Sequence, residues 1–240
     1  MIYSIMPFKI LPFLEEGSFI FGGTMKNKKI LDYITKVAIF AALSIMLYFF
    51  PKFPLPFLFP SFLDVQFSNL PAILGGFVLG PVGGCAVVLI RTLVKLPFSS
   101  TMYVGELADF LIGFFTVLIS SLVYRYSKTK KGGIIGLVLG TITWVVVAII
   151  ANGTFLINFY KEVAGIDAII GMLESLFPTV NESNFMKIYL FGAVLPFNLM
   201  LASIVSLITF LVYKKISFLF KKDFIKKNER RKENENIDHI

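Results

Sequence analysis

Apolar runs long enough to cross a bilayer recur along this sequence and leave few folds open to it. A membrane-crossing helix needs about 20 mainly apolar residues. Of the 240 residues, 56% are hydrophobic and 16% charged, whereas soluble domains carry about 25% charged residues. An ordinary soluble domain is therefore excluded. Intrinsic disorder is excluded too, because chains that fail to collapse are polar and charge-rich. The expected class is an all-α integral membrane protein of one domain.

Six transmembrane helices are expected. The first runs from about Ile34 to Phe50. A stretch rich in Pro and Phe follows (Pro51, Pro54, Pro56, Pro60) and cannot hold a regular helix, since proline removes a donor and restricts its predecessor. Ser68 or Asn69 is a suitable N-cap ahead of Pro71 for a short helix to about Leu79. Gly80-Pro81 breaks it, and a third helix continues from about Val82 to Leu96. The remaining spans are expected over about Gly105–Tyr126, Gly133–Phe159 and Tyr189–Phe220.

The net charge of +8 would suggest nucleic acid in a soluble protein, but here the positions of the charges decide. Basic residues cluster at Lys26, Lys28, Lys29 and Lys36, at Arg125, Lys128, Lys130 and Lys131, and in the tail from Lys214 to Lys232. These clusters sit at the ends of apolar runs, as expected for a cytoplasmic face. The other side holds Lys52, Arg91, Lys95, Lys161 and Lys187 among acidic residues. The reading is an N-in, C-in protein of the bacterial plasma membrane, partnered by the lipid bilayer and not by nucleic acid. Residues 1–24 lack the basic start and cleavage site of a signal peptide, and Met25, followed by Lys-Asn-Lys-Lys, resembles a natural start. We expect 1–24 to be a non-native or disordered extension, 25–222 a six-helix membrane domain, and 223–240 a charged cytoplasmic tail.

Little in the chain suits catalysis. No phosphate-binding loop, zinc-protease, nucleophile-elbow or dinucleotide motif occurs. The single His239 lies in the tail, and the single Cys85 in an apolar run, where it reads as a small hydrophobe. No metal site is expected. The informative residues are polar ones within spans, which face a cavity or a partner group because desolvating them costs several kcal/mol. Glu106 and Asp109 share one side of the start of the fourth span. They either complement the helix dipole near a cap at Ser100 or Thr101 or contact a ligand. Asn152 and Asn158 lie in the fifth span, and Asn198 follows Pro196 in the sixth. Each is either interhelical glue or part of a solute site. Ala38 and Ala42 form a small-residue face on the first helix that permits close helix approach.

Taken together, several segments resemble the substrate-binding S component of energy-coupling factor (ECF) vitamin transporters, above all its riboflavin branch. They are Phe62-Leu63-Asp64-Val65-Gln66-Phe67-Ser68-Asn69-Leu70-Pro71-Ala72, Gly80-Pro81, Val104-Gly105-Glu106-Leu107-Ala108-Asp109-Phe110 and Leu195-Pro196-Phe197-Asn198. The resemblance covers Lys26 to Lys222. It implies a subunit that captures a vitamin from outside and works with a transmembrane coupling subunit and two cytoplasmic ATPases. Riboflavin or FMN would be the transported ligand, not a cofactor, and the chain itself would not be an enzyme. Ala38-x-x-x-Ala42 matches the family's surface for the coupling subunit. Ligand contacts are implied at Leu63, Gln66, Phe67, Glu106, Asn152 and Asn198, with Asp109 and Asn158 beside them. A flat tricyclic ligand suits such a set, with aromatic and aliphatic residues over the ring and polar groups at its edge.

Three positions depart from the riboflavin branch. Asp109 stands where it has Asn, Asn158 where it has Pro, and Leu201 where it has Lys. An S component for a different vitamin therefore stays open. So does a self-sufficient secondary transporter in which Glu106 and Asp109 form a proton-coupling pair.

Overall fold

Proline and glycine divide the chain where local chemistry dictates. The computed structural model describes residues 23–60, 62–127 and 129–213, with side chains from Ile30 onward. Helix α1 (Gly23–Phe49) comes first. Its opening turns belong to a unit ending at Thr35, and everything from Lys36 onward forms a second compact unit, described below. The proline-rich segment after α1 is not helical. It makes a two-residue antiparallel ladder, β1 (Phe53–Pro54) with β2 (Asp64–Val65), pairing Phe53 with Val65 and Pro54 with Asp64. Lys52 and Asp64 close it with an ion pair of 3.1 Å.

Helices α2 (Asn69–Leu79) and α3 (Pro81–Lys95) meet at Gly80. Gly80 takes φ +90°, a left-handed conformation open to glycine without a Cβ penalty, and Pro81 is at the first turn of α3, where its missing N–H is no loss. Ser68 makes no cap bond to α2, contrary to expectation. Its hydroxyl is committed elsewhere, to Gln66 and Arg91. Helix α4 (Val104–Ser127) follows, then α5 (Lys130–Ala164), a short α6 (Ile166–Glu174) and α7 (Phe185–Tyr213). Thr129 caps α5 by accepting the Gly132 N–H. The sequence pattern gave no expectation of α6, because nine residues with mostly exposed positions carry no span-length signal.

Five helices (α1, α3, α4, α5 and α7) are long and apolar enough to cross a membrane, and α2 is shorter. The expected N-terminal extension lies outside the described residues apart from Gly23 and Thr24. The 223–240 tail, His239 and the end expected for the last span also lie outside them.

The core places Val37 and Ala41 of α1 against Ala72, Ile73, Val87, Val88, Val117, Trp144, Phe197 and Val205, and half-buried Cys85 packs beside this cluster. One end of the bundle is closed by aromatics. Phe77 stacks on Tyr124 at 4.6 Å and meets Tyr213 edge-on at 5.6 Å, and the two tyrosine hydroxyls hydrogen-bond each other. The opposite end is held open by two irregularities. The fifth helix passes through a π-helical turn at Asn152–Leu156. The seventh does so at Ile188–Val194, just ahead of Pro196, which has no N–H to give the ladder.

Small residues set the spacing at the α2–α3 hairpin. A Cβ on Gly84 would lie 2.6 Å from the Gly76 Cα and from Val117 Cγ1. Gly84→Ala is therefore expected to destabilise the detergent-solubilised protein by about 1–3 kcal/mol, measured as a lower melting temperature. Gly171 is the control: an added Cβ there meets nothing within 4 Å, so Gly171→Ala should leave melting unchanged or raise it. Equal melting of both variants would contradict the close α2–α3 contact.

Candidate functional site

At the open end, the final turn of α1, the β1–β2 segment, the end of α3, the start of α4, α5 around its π-turn and α7 just beyond its own enclose a cavity of about 340 Å³. Its volume is at the lower end of small-ligand sites. Phe62, Leu63, Ile112, Leu156, Phe197 and Leu201 supply apolar wall, and Tyr48, Trp144 and Tyr160 supply aromatic wall with polar tips. Besides the Lys52–Asp64 ion pair, three polar groups interrupt it.

The first is centred on Asp109, one turn inside α4. Its Oδ1 accepts a hydrogen bond from Gln66 Nε2 at 3.0 Å. Its Oδ2 accepts from Lys95 Nζ at 2.7 Å and from Arg91 Nη2 at 3.2 Å. Arg91 and Lys95 are one turn apart on α3 and are 0% and 2% exposed. Arg91 Nη1 also donates to Ser68 Oγ and Asn69 Oδ1, each at 2.8 Å, and more weakly to Ser44 Oγ of α1. Ser44 donates to the Ser68 carbonyl at 2.6 Å, and Ser68 to Gln66 Oε1 at 2.9 Å. Lys95 Nζ sits 3.7 Å from the centre of the Tyr48 ring, within cation–π range.

The second group surrounds Glu106. Its Oε2 accepts from Ser99 Oγ at 2.6 Å and from Thr101 Oγ1 at 2.9 Å. Those hydroxyls in turn accept the Tyr103 and Gly105 backbone N–H groups, so the start of α4 is capped through the carboxylate's own partners. The cap expected at Ser100 or Thr101 thus belongs to Ser99 and Thr101. Glu106 and Asp109 are one turn apart yet belong to separate hydrogen-bond networks.

The third group is a pair of carboxamides with matching environments. Asn152 Oδ1 accepts from Tyr189 OH at 2.6 Å while its Nδ2 donates to the Ala148 carbonyl. Asn198 Oδ1 accepts from Trp144 Nε1 at 3.0 Å while its Nδ2 donates to the Val194 carbonyl. A carboxamide nitrogen carries two hydrogens, so each side chain keeps one N–H for the cavity. Aromatic donors fix both amide orientations, making the two residues donors toward anything bound.

Leu63, Gln66, Glu106, Asp109, Asn152 and Asn198 line this cavity together. Phe67 does not; it packs against the hydrophobic core. Asn158 is exposed and donates to the Thr154 carbonyl one turn back. Ala38 and Ala42 are both exposed, on the side of α1 away from buried Val37, Ala41 and Ser44.

The sequence reading missed Arg91 and Lys95 as site residues and counted them with the charges of the outer side. The structure buries both inside the bundle. A signal existed: two cations spaced i,i+4 within an apolar span face one way, and buried cations require a partner. Tyr48, Trp144, Tyr160 and Tyr189 gave no signal, since aromatic residues are common along the whole chain.

The family model for the substrate-specific component of ECF transporters matches residues 32–213. The riboflavin transporter RibU of Staphylococcus aureus is 29% identical over 82% of this chain and 94% of its own length. RibU of Streptococcus thermophilus is 31% identical over 82% of this chain and 87% of its own. The riboflavin transporter FmnP of Bacillus subtilis is 27% identical over 69% and 82%. A solved S component of a bacterial ECF transporter superposes with a TM-score of 0.63 at 28% identity, covering 82% of this chain and 99% of the other. With five membrane-capable helices and a family match across all of the second unit's described helices, the chain is a multi-pass bacterial membrane protein that belongs to the substrate-specific components of ECF transporters.

Proposed function

We propose that this chain is the riboflavin-binding S component of an ECF importer. The observation that carries the reading is the cavity itself, lined by aromatic and aliphatic wall with donor groups at one edge, in a chain similar along its length to riboflavin transporters. The flat ring system lies between Leu63, Phe197 and the aromatic side chains. The spare N–H groups of Asn152 and Asn198 donate to carbonyl or ring-nitrogen acceptors. Glu106, with Ser99 and Thr101, faces the ligand's hydroxyls. Riboflavin or FMN is cargo and not a cofactor, and the chain acts as a transporter subunit and not as an enzyme. A transmembrane coupling subunit and two cytoplasmic ATPases supply the energy.

The membrane topology is six crossings with both termini in the cytoplasm. In this reading α2 is a short crossing, since 11 residues span about 16 Å at 1.5 Å each. Support for the orientation comes from the basic residues at the α4–α5 junction and in the tail. The cavity then opens outward, at the end remote from those clusters. The exposed Ala38–Ala42 face of α1 is the surface for the coupling subunit, where small residues let a partner helix approach.

The protein purified in detergent from riboflavin-fed cells should carry the visible absorption band of an oxidised flavin. A colourless preparation that fails to bind added riboflavin would exclude the flavin and direct the search to other vitamins. Asn152→Ala should weaken riboflavin binding by about 1–3 kcal/mol, as for loss of a buried hydrogen bond, with fluorescence titration as the measurement. Ala38→Trp or Ala42→Trp should abolish uptake by the assembled transporter while leaving binding by the isolated subunit intact; loss of binding would place these alanines in the packed core.

A further inference from the structure

Asp109 is held by two cations where one would neutralise it. Arg91 lies outside the cavity lining: Ser44, Ser68, Asn69 and Asp109 accept from its two terminal nitrogens, while its buried Nε–H has no acceptor among the described residues. Lys95 is different. It lines the cavity, and among the described residues Asp109 is the one hydrogen-bond acceptor of its Nζ. An ammonium has three N–H groups. One serves Asp109, the Tyr48 ring face meets another side of the group, and donor capacity remains toward the cavity. Glu106, the buried carboxylate of the lining, accepts from Ser99 and Thr101 on Oε2 alone.

A buried ammonium with an unfilled N–H is costly unless a bound group completes it, and Lys95 is 2% exposed. We infer that Lys95 is a specificity-determining residue: its ammonium donates to an electron-rich carbonyl or nitrogen on the edge of the ligand's ring system, with Asp109 as its positioning residue. The inference rests on the flavin reading of the cavity and deepens it. Asp109 takes three donors on its two oxygens, and its role is to aim Lys95. The Lys95 side chain reaches the cavity from α3, a helix that contributes no other charged group to the lining.

The test is riboflavin titration and the absorption spectrum of bound flavin for wild type, Lys95→Met, Asp109→Asn and the double variant, each checked for monodisperse folding. Lys95→Met should lose at least tenfold in affinity and shift the flavin band, because a charge at the ring edge perturbs the ring's electronic states. Asp109→Asn keeps the ammonium and should lose less, and the double variant should remain as weak as Lys95→Met. If Lys95→Met fails to fold, Lys95→Gln removes the charge while keeping an N–H for Asp109 and carries the same test. Wild-type affinity in the double variant would reduce Lys95 to a counter-charge for Asp109 and overturn the inference. So would weak binding with an unshifted band, or a Lys95→Met variant that binds as wild type does. Wild-type protein that fails to bind riboflavin would overturn the functional reading, and this inference with it.

Discussion

Two cations and a carboxylate buried inside an apolar helix bundle set the terms for everything around them. An unpaired charge at such depth is expensive, and a buried ion pair is tolerated only when further hydrogen bonds satisfy what remains of both partners. Arg91 therefore draws its partners from three places: Ser44 on α1, Ser68 and Asn69 at the start of α2, and Asp109 on α4. Gln66 joins from the loop. This requirement fixes the loop between α1 and α2 against the bundle, and that loop is one wall of the cavity. The hydrophobic core beneath supplies the bulk of the packing but is non-directional; the buried network gives this end its register.

The architecture was largely legible from hydropathy. Apolar runs, the Pro-rich interruption and Gly80-Pro81 locate α2 to α5 and the end of α1 within about five residues, because bilayer thickness and proline's missing donor act locally; α1 itself starts at Gly23, well ahead of the Ile34 expected. Six of the eight site residues expected from sequence line one cavity: Glu106, Asp109, Asn152 and Asn198 because polar residues within spans are few and need a shared destination, Leu63 and Gln66 through the family resemblance alone. The remaining two show where such reasoning stops. Asn158 is polar and near the right end of its helix, yet the π-turn at Asn152–Leu156 changes the helical register that would be assumed from a regular 3.6-residue repeat. Its side chain is exposed. Phe67 lies in a loop, where no periodicity exists to say which way a side chain points.

Arg91 and Lys95 were legible in type but not in role. Their spacing puts them on one helix face, but the sequence does not say whether that face meets a carboxylate from α4, the membrane surface or solvent. The meaning of Asp109 was lost with them. Taken alone, a carboxylate in the cavity wall makes the site more negative; set between Arg91 and Lys95, with Glu106 one turn away, it belongs to a set of two cations and two carboxylates. Leu201, where the related branch has a cation, likewise reads as a loss until Lys95 is seen reaching the same cavity from another helix.

The π-turns in α5 and α7 bear on how the cavity is entered. A π-turn widens the helix and weakens its ladder locally, and regions of weakened backbone hydrogen bonding are the first to open. The first turn lines the cavity with Asn152 and Leu156, and the second ends four residues before Asn198. The wall that the α5 turn contributes is thus softer than the one braced by Arg91 and Asp109. A ligand passing between them needs to flex only the soft side, and the braced side keeps a constant template against which each arriving molecule is tried.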